Sequence, residues 1–215
     1  MKSYRNKTGV TLVEILIVVA VIAILTTMVV GIATRISNQS KEQLTKNTFA
    51  LLNAALGQFR DYGYRYKNPD YYSLDFPLDC NGFDQARLEA TLGSALGATG
   101  ALIVPAGVHD DLNDSGSEAL YFFLSRVPAS RQTLDKIDES LITNEGFGKQ
   151  PMNITIGVKM YPLLRIIDPW GTTLHYDYYN EIIIPPDPFT KRNFPLITSA
   201  GPDRIFRTGD DITSR

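Results

Sequence analysis

The sequence predicts an α+β fold in which a long N-terminal helix, made of a membrane half and an amphipathic half, packs on a small antiparallel β-sheet. Three observations predict it. A charge-free apolar run extends from Ile15 to Thr34, and apolar residues then recur at three- and four-residue spacing as far as Phe59. Beyond residue 150 the pattern changes to short, turn-bounded segments of strand-like composition. The chain accordingly divides into a basic leader (1–9), an apolar helix segment (10–34), an amphipathic continuation (35–60), a variable helical and loop region (61–150), and a sheet with an acidic C-terminal loop (151–215).

Composition narrows the function classes. The chain has 215 residues, 44% apolar and 20% charged, with a formal net charge of −2, enough for one domain plus an anchor or at most two small domains. That balance is too apolar for a disordered chain, and its near-neutrality argues against nucleic acid as a primary partner, which would call for a basic face. Cys80 is the one cysteine, so an internal disulfide and a cysteine-rich zinc site are both excluded.

As a helix of roughly 20 residues rising ~1.5 Å each, the run Ile15–Thr34 covers about the 30 Å of a bilayer's hydrocarbon. Its apolar residues lie on all faces, which a half-buried surface helix does not need. A buried core helix and a cleavable secretory signal compete with this reading. The run is long for either, and Gly31-Ile-Ala-Thr-Arg35 offers no convincing small-residue cleavage site. Lys2, Arg5 and Lys7 place the N-terminus on the cytoplasmic side, although Arg35, Lys41 and Lys46 weaken the bias.

A carboxylate, Glu14, stands at the mouth of this run, where ionisable groups mark functional pairs or sit at the headgroups helped by the helix dipole. The order of basic leader, Gly9, Val10-Thr-Leu-Val-Glu14 and unbroken apolar helix resembles the signal of type IV pilins and pseudopilins. The resemblance implies a pilin-like fold, cleavage after Gly9 by prepilin peptidase, and methylation of the new amine on Val10. The sequence departs from the family at Val10, where Phe is usual, and at Gly31, near a common helix-kinking proline. Cleavage removes three basic residues and takes the formal net charge from −2 to −5 before the new amine is counted. In an apolar filament core, Glu14 of one subunit would then pair with the Val10 amine of a neighbour. The desolvation cost of several kcal/mol per ion makes mismatched, unpaired arrangements unfavourable.

From Arg35 the helix turns amphipathic. Leu44, Thr48, Leu51, Leu52, Ala55, Leu56 and Phe59 form the core stripe, and Lys41, Glu42, Lys46, Asn53, Gln58 and Arg60 occupy other faces. One continuous helix from Val10 to Arg60 is the simplest reading; a hinge near Gly31 or Ser37-Asn38 is the alternative. Asp61 to Asn81 is a tyrosine-rich loop whose rings pack while their hydroxyls stay wet. Short helices are expected at Asp84–Leu96, Ser117–Val127 and Thr133–Leu141. Asp111–Gly116 opens like an EF-hand loop, but the twelfth position is Phe122 rather than a bidentate carboxylate. Ser115 and Glu118 read instead as a capping box.

Strands are expected at Asn153–Val158, Tyr161–Ile167, Thr173–Tyr179 and Phe194–Thr198. Asp168-Pro169-Trp170-Gly171 has the residues of a type I turn, predicting a hairpin between the second and third. That turn also resembles the sheet of type II secretion major pseudopilins. The C-terminal loop Ser199–Ile212 gathers Asp203, Asp210 and Asp211, with Ser199 and Thr208 as neutral oxygens, in the manner of a calcium loop. A solvated acidic tail is the alternative reading, and Arg204 and Arg207 are atypical neighbours for a cation. Major pseudopilins end in a similar calcium-binding loop, so the resemblance favours Ca2+.

Catalytic chemistry has little to work with. His109 and His175 are the only histidines, and neither has metal-ligand spacing to another strong ligand. Gly93–Gly100 lacks the Gly-Lys-Ser/Thr of a phosphate loop. The resemblance therefore implies a non-enzymatic subunit of a periplasmic pseudopilus acting in type II protein secretion, single-pass in the bacterial inner membrane before extraction into the filament. Its implied partners are further copies of itself, prepilin peptidase, the secretion system's inner-membrane platform and membrane lipid. A type IV pilus subunit, major or minor, is the rival within the family; a membrane-anchored enzyme or binding module is the rival outside it.

Overall fold

The computed structural model describes residues 12–66, 76–77, 114–156, 159–179 and 191–215. Contacts divide the chain into Met1–Ser40 and Lys41–Arg215. Helix α1 spans Leu12–Tyr66 as a single element, with neither Gly31 nor Ser37-Asn38 breaking it, and it runs six residues past the predicted Arg60. The leader, the helix expected at Asp84–Leu96, Cys80, His109 and most of the tyrosine-rich loop lie outside the described residues.

In the second unit the predicted stripe is the buried one. Thr48, Leu52, Ala55, Leu56 and Phe59 are buried, and Thr45 and Phe49 extend the same face. The Thr45 and Thr48 hydroxyls donate to the carbonyls of Lys41 and Leu44, so two polar side chains enter the core already satisfied. Burial of each large side chain contributes about 1.5–3 kcal/mol. Polar stitches fix the register of the neighbouring elements on α1. Ser130 Oγ donates to the Ala55 carbonyl, Thr133 Oγ1 to Gln58 Oε1, and Asn53 Nδ2 to the Ser214 carbonyl.

Helix α2 is Ser115–Arg126 and α3 is Pro128–Leu134. Two expectations change here. The capping box is not formed, because Asp114 rather than Ser115 is the N-cap and no side chain caps the helix. The Asp114 carboxylate is instead committed to Thr173 Oγ1 at 2.6 Å and to Arg165 Nε at 3.2 Å. Ser117 is turned toward Ile166, whose carbonyl accepts its hydroxyl and whose N–H donates back to it. The helix expected at Thr133–Leu141 starts earlier and stops earlier. Pro128, pre-set for a first helical turn, begins α3. Asp138, in an extended conformation, then separates it from a 3-10 turn at Glu139–Leu141.

Strands β1 (Ile142–Thr143), β2 (Asn153–Ile156), β3 (Lys159–Pro162), β4 (Arg165–Ile166), β5 (His175–Tyr179), β6 (Lys191–Ser199) and β7 (Ile212–Thr213) form three small antiparallel sheets among the described residues: β1-β4, β2-β3 and β5-β6-β7. The expected strand Tyr161–Ile167 is thus divided between two sheets. The turn at Asp168–Gly171 forms as predicted, with Gly171 N–H donating to the Asp168 carbonyl at 2.9 Å. Its flanks meet only in the bridge Ile167↔Thr173, since β4 pairs with β1 and β5 with β6. Pro195 is tolerated in the middle strand because the β5-β6 register shifts there, from Asp177↔Leu196 to Tyr179↔Lys191.

Candidate functional site

The N-terminal unit presents an unusual surface. Glu14 occupies the first turn of α1, the end where the helix dipole favours a negative charge. Behind it the described large apolar side chains, from Leu12 at 81% exposed through Ile24 and Met28 to Ile36, are all exposed. The Thr26 and Thr27 hydroxyls donate to the carbonyls of Ile22 and Ile24, so even the polar residues there turn their hydrogen-bonding inward. Among the described residues no helix is long and apolar enough to cross a membrane. Gly9 and Val10 lie outside the described residues.

The C-terminal loop is fully described: of its five predicted metal-binding residues, Asp203, Thr208 and Asp210 meet, whereas Ser199 turns to Asp168 and Asp211 Oδ1 is buried with no hydrogen-bond partner among the described residues. Among the described residues no group of three or more His, Cys, Asp or Glu side chains could hold a metal ion. Ser199 is buried, and its hydroxyl donates to Asp168 Oδ2 at 2.7 Å while accepting the Gly201 N–H. Asp210 takes the Thr208 hydroxyl on Oδ1 at 2.6 Å and the Asp203 N–H on Oδ2 at 3.1 Å. The Thr208 bond, and after it the Asp203 N–H, hold its pKa below the ordinary carboxylate value. Asp203 accepts the Ile205 N–H, and Asp211 the Arg207 N–H. Arg204 and Arg207 both sit at positive φ, 61° and 69°, a conformation that costs a side-chain-bearing residue about 1–2 kcal/mol.

Sequence reasoning recognised the Asp168 turn but missed what its carboxylate does. Asp168 is 2% exposed; Oδ1 accepts the N–H groups of Trp170 and Thr172, and Oδ2 the Ser199 hydroxyl. One buried side chain thus ties the β4-β5 turn to the end of β6. Position one of a type I turn explains the first bond, but nothing local in the sequence announces Ser199. Trp170 in the same turn is buried with its ring under Lys41 Nζ, 5.8 Å from the centroid. His175, on β5, packs against Phe206 of the C-terminal loop.

Comparison with known families places the N-terminus. Residues 4–30 match the family model described as the prokaryotic N-terminal methylation motif. The chain carries that motif. It spans Gly9, Val10, Glu14 and most of the apolar run, the positions whose order resembles a pilin signal. It supports a type IV pilin-like subunit, made as a membrane-anchored precursor, and implies processing by prepilin peptidase and assembly into a filament. Neither the curated proteins nor the solved structures provide a match to this chain.

Proposed function

We propose that this chain is a structural, non-catalytic subunit of a periplasmic pseudopilus that acts in type II protein secretion. The observation that carries the reading is the coincidence of the methylation motif at 4–30 with an α1 surface whose described large apolar side chains are exposed. Such a surface needs lipid before assembly and neighbouring helices after it. In this reading the run Ile15–Thr34 holds the precursor in the inner membrane, with Lys41–Arg215 in the periplasm. Prepilin peptidase cuts after Gly9 and methylates Val10. The platform of the secretion system then extracts the helix into a filament, where Glu14 meets the Val10 amine of an adjacent subunit. The formed Asp168–Gly171 turn supports the secretion assignment over a type IV pilus, since it resembles the major pseudopilin sheet.

Mass spectrometry of the mature N-terminus is the first experiment. A methylated Val10 is the expected species; a functioning protein that keeps Met1 would leave a plain tethered domain. Deletion of the gene then separates the two filament readings. Loss of protein export with retained motility and adhesion is expected, and the opposite pattern would make the chain a type IV pilus subunit.

A further inference from the structure

The tip of the C-terminal loop carries an apolar side chain between two cations. Ile205 is 62% exposed, and Arg204 and Arg207 beside it are exposed as well. Among the described residues neither guanidinium enters an ion pair; the pairs formed are Lys46–Glu42, Arg60–Asp61 and Arg165–Asp114. The tip is nevertheless held in shape. Ile205 N–H donates to Asp203 Oδ1 and Arg207 N–H to Asp211 Oδ2, at 2.8 and 2.7 Å. Phe206 packs on His175, with the ring centroids 5.7 Å apart. A backbone fixed before contact has less freedom to lose on contact. The same chain carries a surface of opposite sign. Asp135, Asp138 and Glu139 are exposed in the five residues that follow α3, where Lys136 is the one cation. None of these three acids forms an ion pair among the described residues. Ser140 occupies only Oδ1 of Asp138, so Oδ2 is left to accept a further donor. Tyr121 is near enough that Asp135, after burial, raises its phenol pKa, and its half-buried ring adds apolar area beside the acids.

We propose that Arg204, Ile205 and Arg207 of one copy dock on the Asp135–Glu139 turn of a second copy. The proposal rests on the filament reading and adds to it a contact between packed units, beside the contact of one α1 with another. A second copy is the occupant because the chain bears both halves of the match and joins them by no ion pair within itself. Two different patches meeting head to tail repeat along an open assembly, whereas one patch meeting itself closes a pair. Arginine suits the task, since its planar fork of donors fits a carboxylate. Exposed ion pairs contribute little each, so the contact sets the register between neighbours more than the strength of the filament.

The test is charge reversal in the full chain, with filament yield read by electron microscopy. Arg204→Glu with Arg207→Glu should cut the yield by about tenfold, because like charges then face each other across the contact. Asp135→Lys, Asp138→Lys and Glu139→Lys together should do the same. Combining the two sets should restore most of the yield, with the thermal midpoint of the packed unit unchanged throughout. Normal assembly from either set alone, or no recovery when they are combined, would overturn the docking; the latter outcome would point to an acidic lipid or another protein as the partner of the arginines. A second measurement keeps the native charges and so decides the matter if a reversed variant fails to fold. Ile205→Cys and Ser140→Cys, with Cys80→Ser to remove the native thiol, should give a ladder of disulfide-linked multimers in intact filaments. Filaments without that ladder would also overturn the docking. Wild-type filaments indifferent to every change would remove this contact alone, whereas a wild-type chain that keeps Met1 and forms no filament would remove the filament reading and the docking with it.

Discussion

Helix α1 carries two apolar surfaces that behave in opposite ways. Between Leu12 and Ile36 the described large apolar side chains are exposed, whereas Leu52, Ala55 and Leu56 are fully buried. Both stretches are helical and rich in apolar residues; what separates them is arrangement. A stripe at three- and four-residue spacing needs one partner, and this chain supplies it in α2, α3 and the sheets. A helix apolar on every side needs partners on every side, which one small domain cannot provide. The lesson is that the first stretch is built for surroundings outside its own chain and the second for surroundings inside it.

The sharpest way to break that comparison is to change each stretch and read both assembly and stability. Glu14→Ala is expected to abolish filament formation, seen by electron microscopy or crosslinking, while leaving the unfolding of the Lys41–Arg215 unit unchanged. Normal filaments from that variant would remove the charge-pair role. Leu56→Ala should do the reverse, destabilising the folded unit by about 2–5 kcal/mol through lost burial and a residual cavity. Leu16→Ala, the same class of truncation on the exposed stretch, should leave the denaturation midpoint where it was. If Leu16→Ala and Leu56→Ala cost alike, the two surfaces are not different in kind.

A smaller effect tests whether the packed unit depends on polar as well as apolar burial. Asp168→Ala removes one carboxylate that accepts two N–H groups and the Ser199 hydroxyl. Leaving those donors without an acceptor should cost roughly 1–3 kcal/mol, measured by chemical denaturation. Asp168→Asn, which keeps an acceptor but loses the charge, should fall between. An Asp168→Ala protein as stable as wild type would mean that water replaces the carboxylate.

These residues also show where the sequence was readable. Leu52, Leu56 and Phe59 announced their burial because helical periodicity is written within a few turns of chain. The Asp168 turn was legible for the same reason, each of its residues being suited to a fixed position. The pairing of β1 with β4 was not, because Ile142 and Ile166 are distant in the chain and two-residue strands leave no alternation to read. The capping box failed through competition: Ser115 and Glu118 have the right spacing, but Thr173 and Arg165 hold Asp114 one residue earlier. Ser199 went to the wrong partner because an acidic loop near it is visible in sequence, whereas Asp168, contributed by another turn, is not. Asp203, Asp210 and Asp211 stood out as candidate calcium ligands, but composition alone does not say which loop N–H groups and hydroxyls their carboxylates accept.

The smallest expected effect belongs to an exposed group within the packed unit, and it checks that burial rather than location sets the scale. Asp138 Oδ1 accepts both the hydroxyl and the N–H of Ser140, at 2.7 and 2.9 Å, at the start of the 3-10 turn. The hydroxyl bond, and after it the N–H bond, lower the Asp138 pKa in the folded protein. A depressed carboxylate favours the folded state above its unfolded pKa of about 3.9, and that contribution disappears as pH falls through the lower folded value. Between pH 7 and 5 this turn should therefore be insensitive to acid, and below about pH 4 the Ser140 amide should move with Asp138 protonation in an NMR titration. Because Asp138 is fully exposed, water stands ready to replace the lost bonds, and the midpoint of global unfolding should barely respond. Asp138→Asn should flatten the Ser140 titration. If the wild-type midpoint instead drops as steeply through that pH range as Asp168→Ala lowers it at neutral pH, exposure does not discount a carboxylate here, and the contrast between the two surfaces of α1 loses its physical basis.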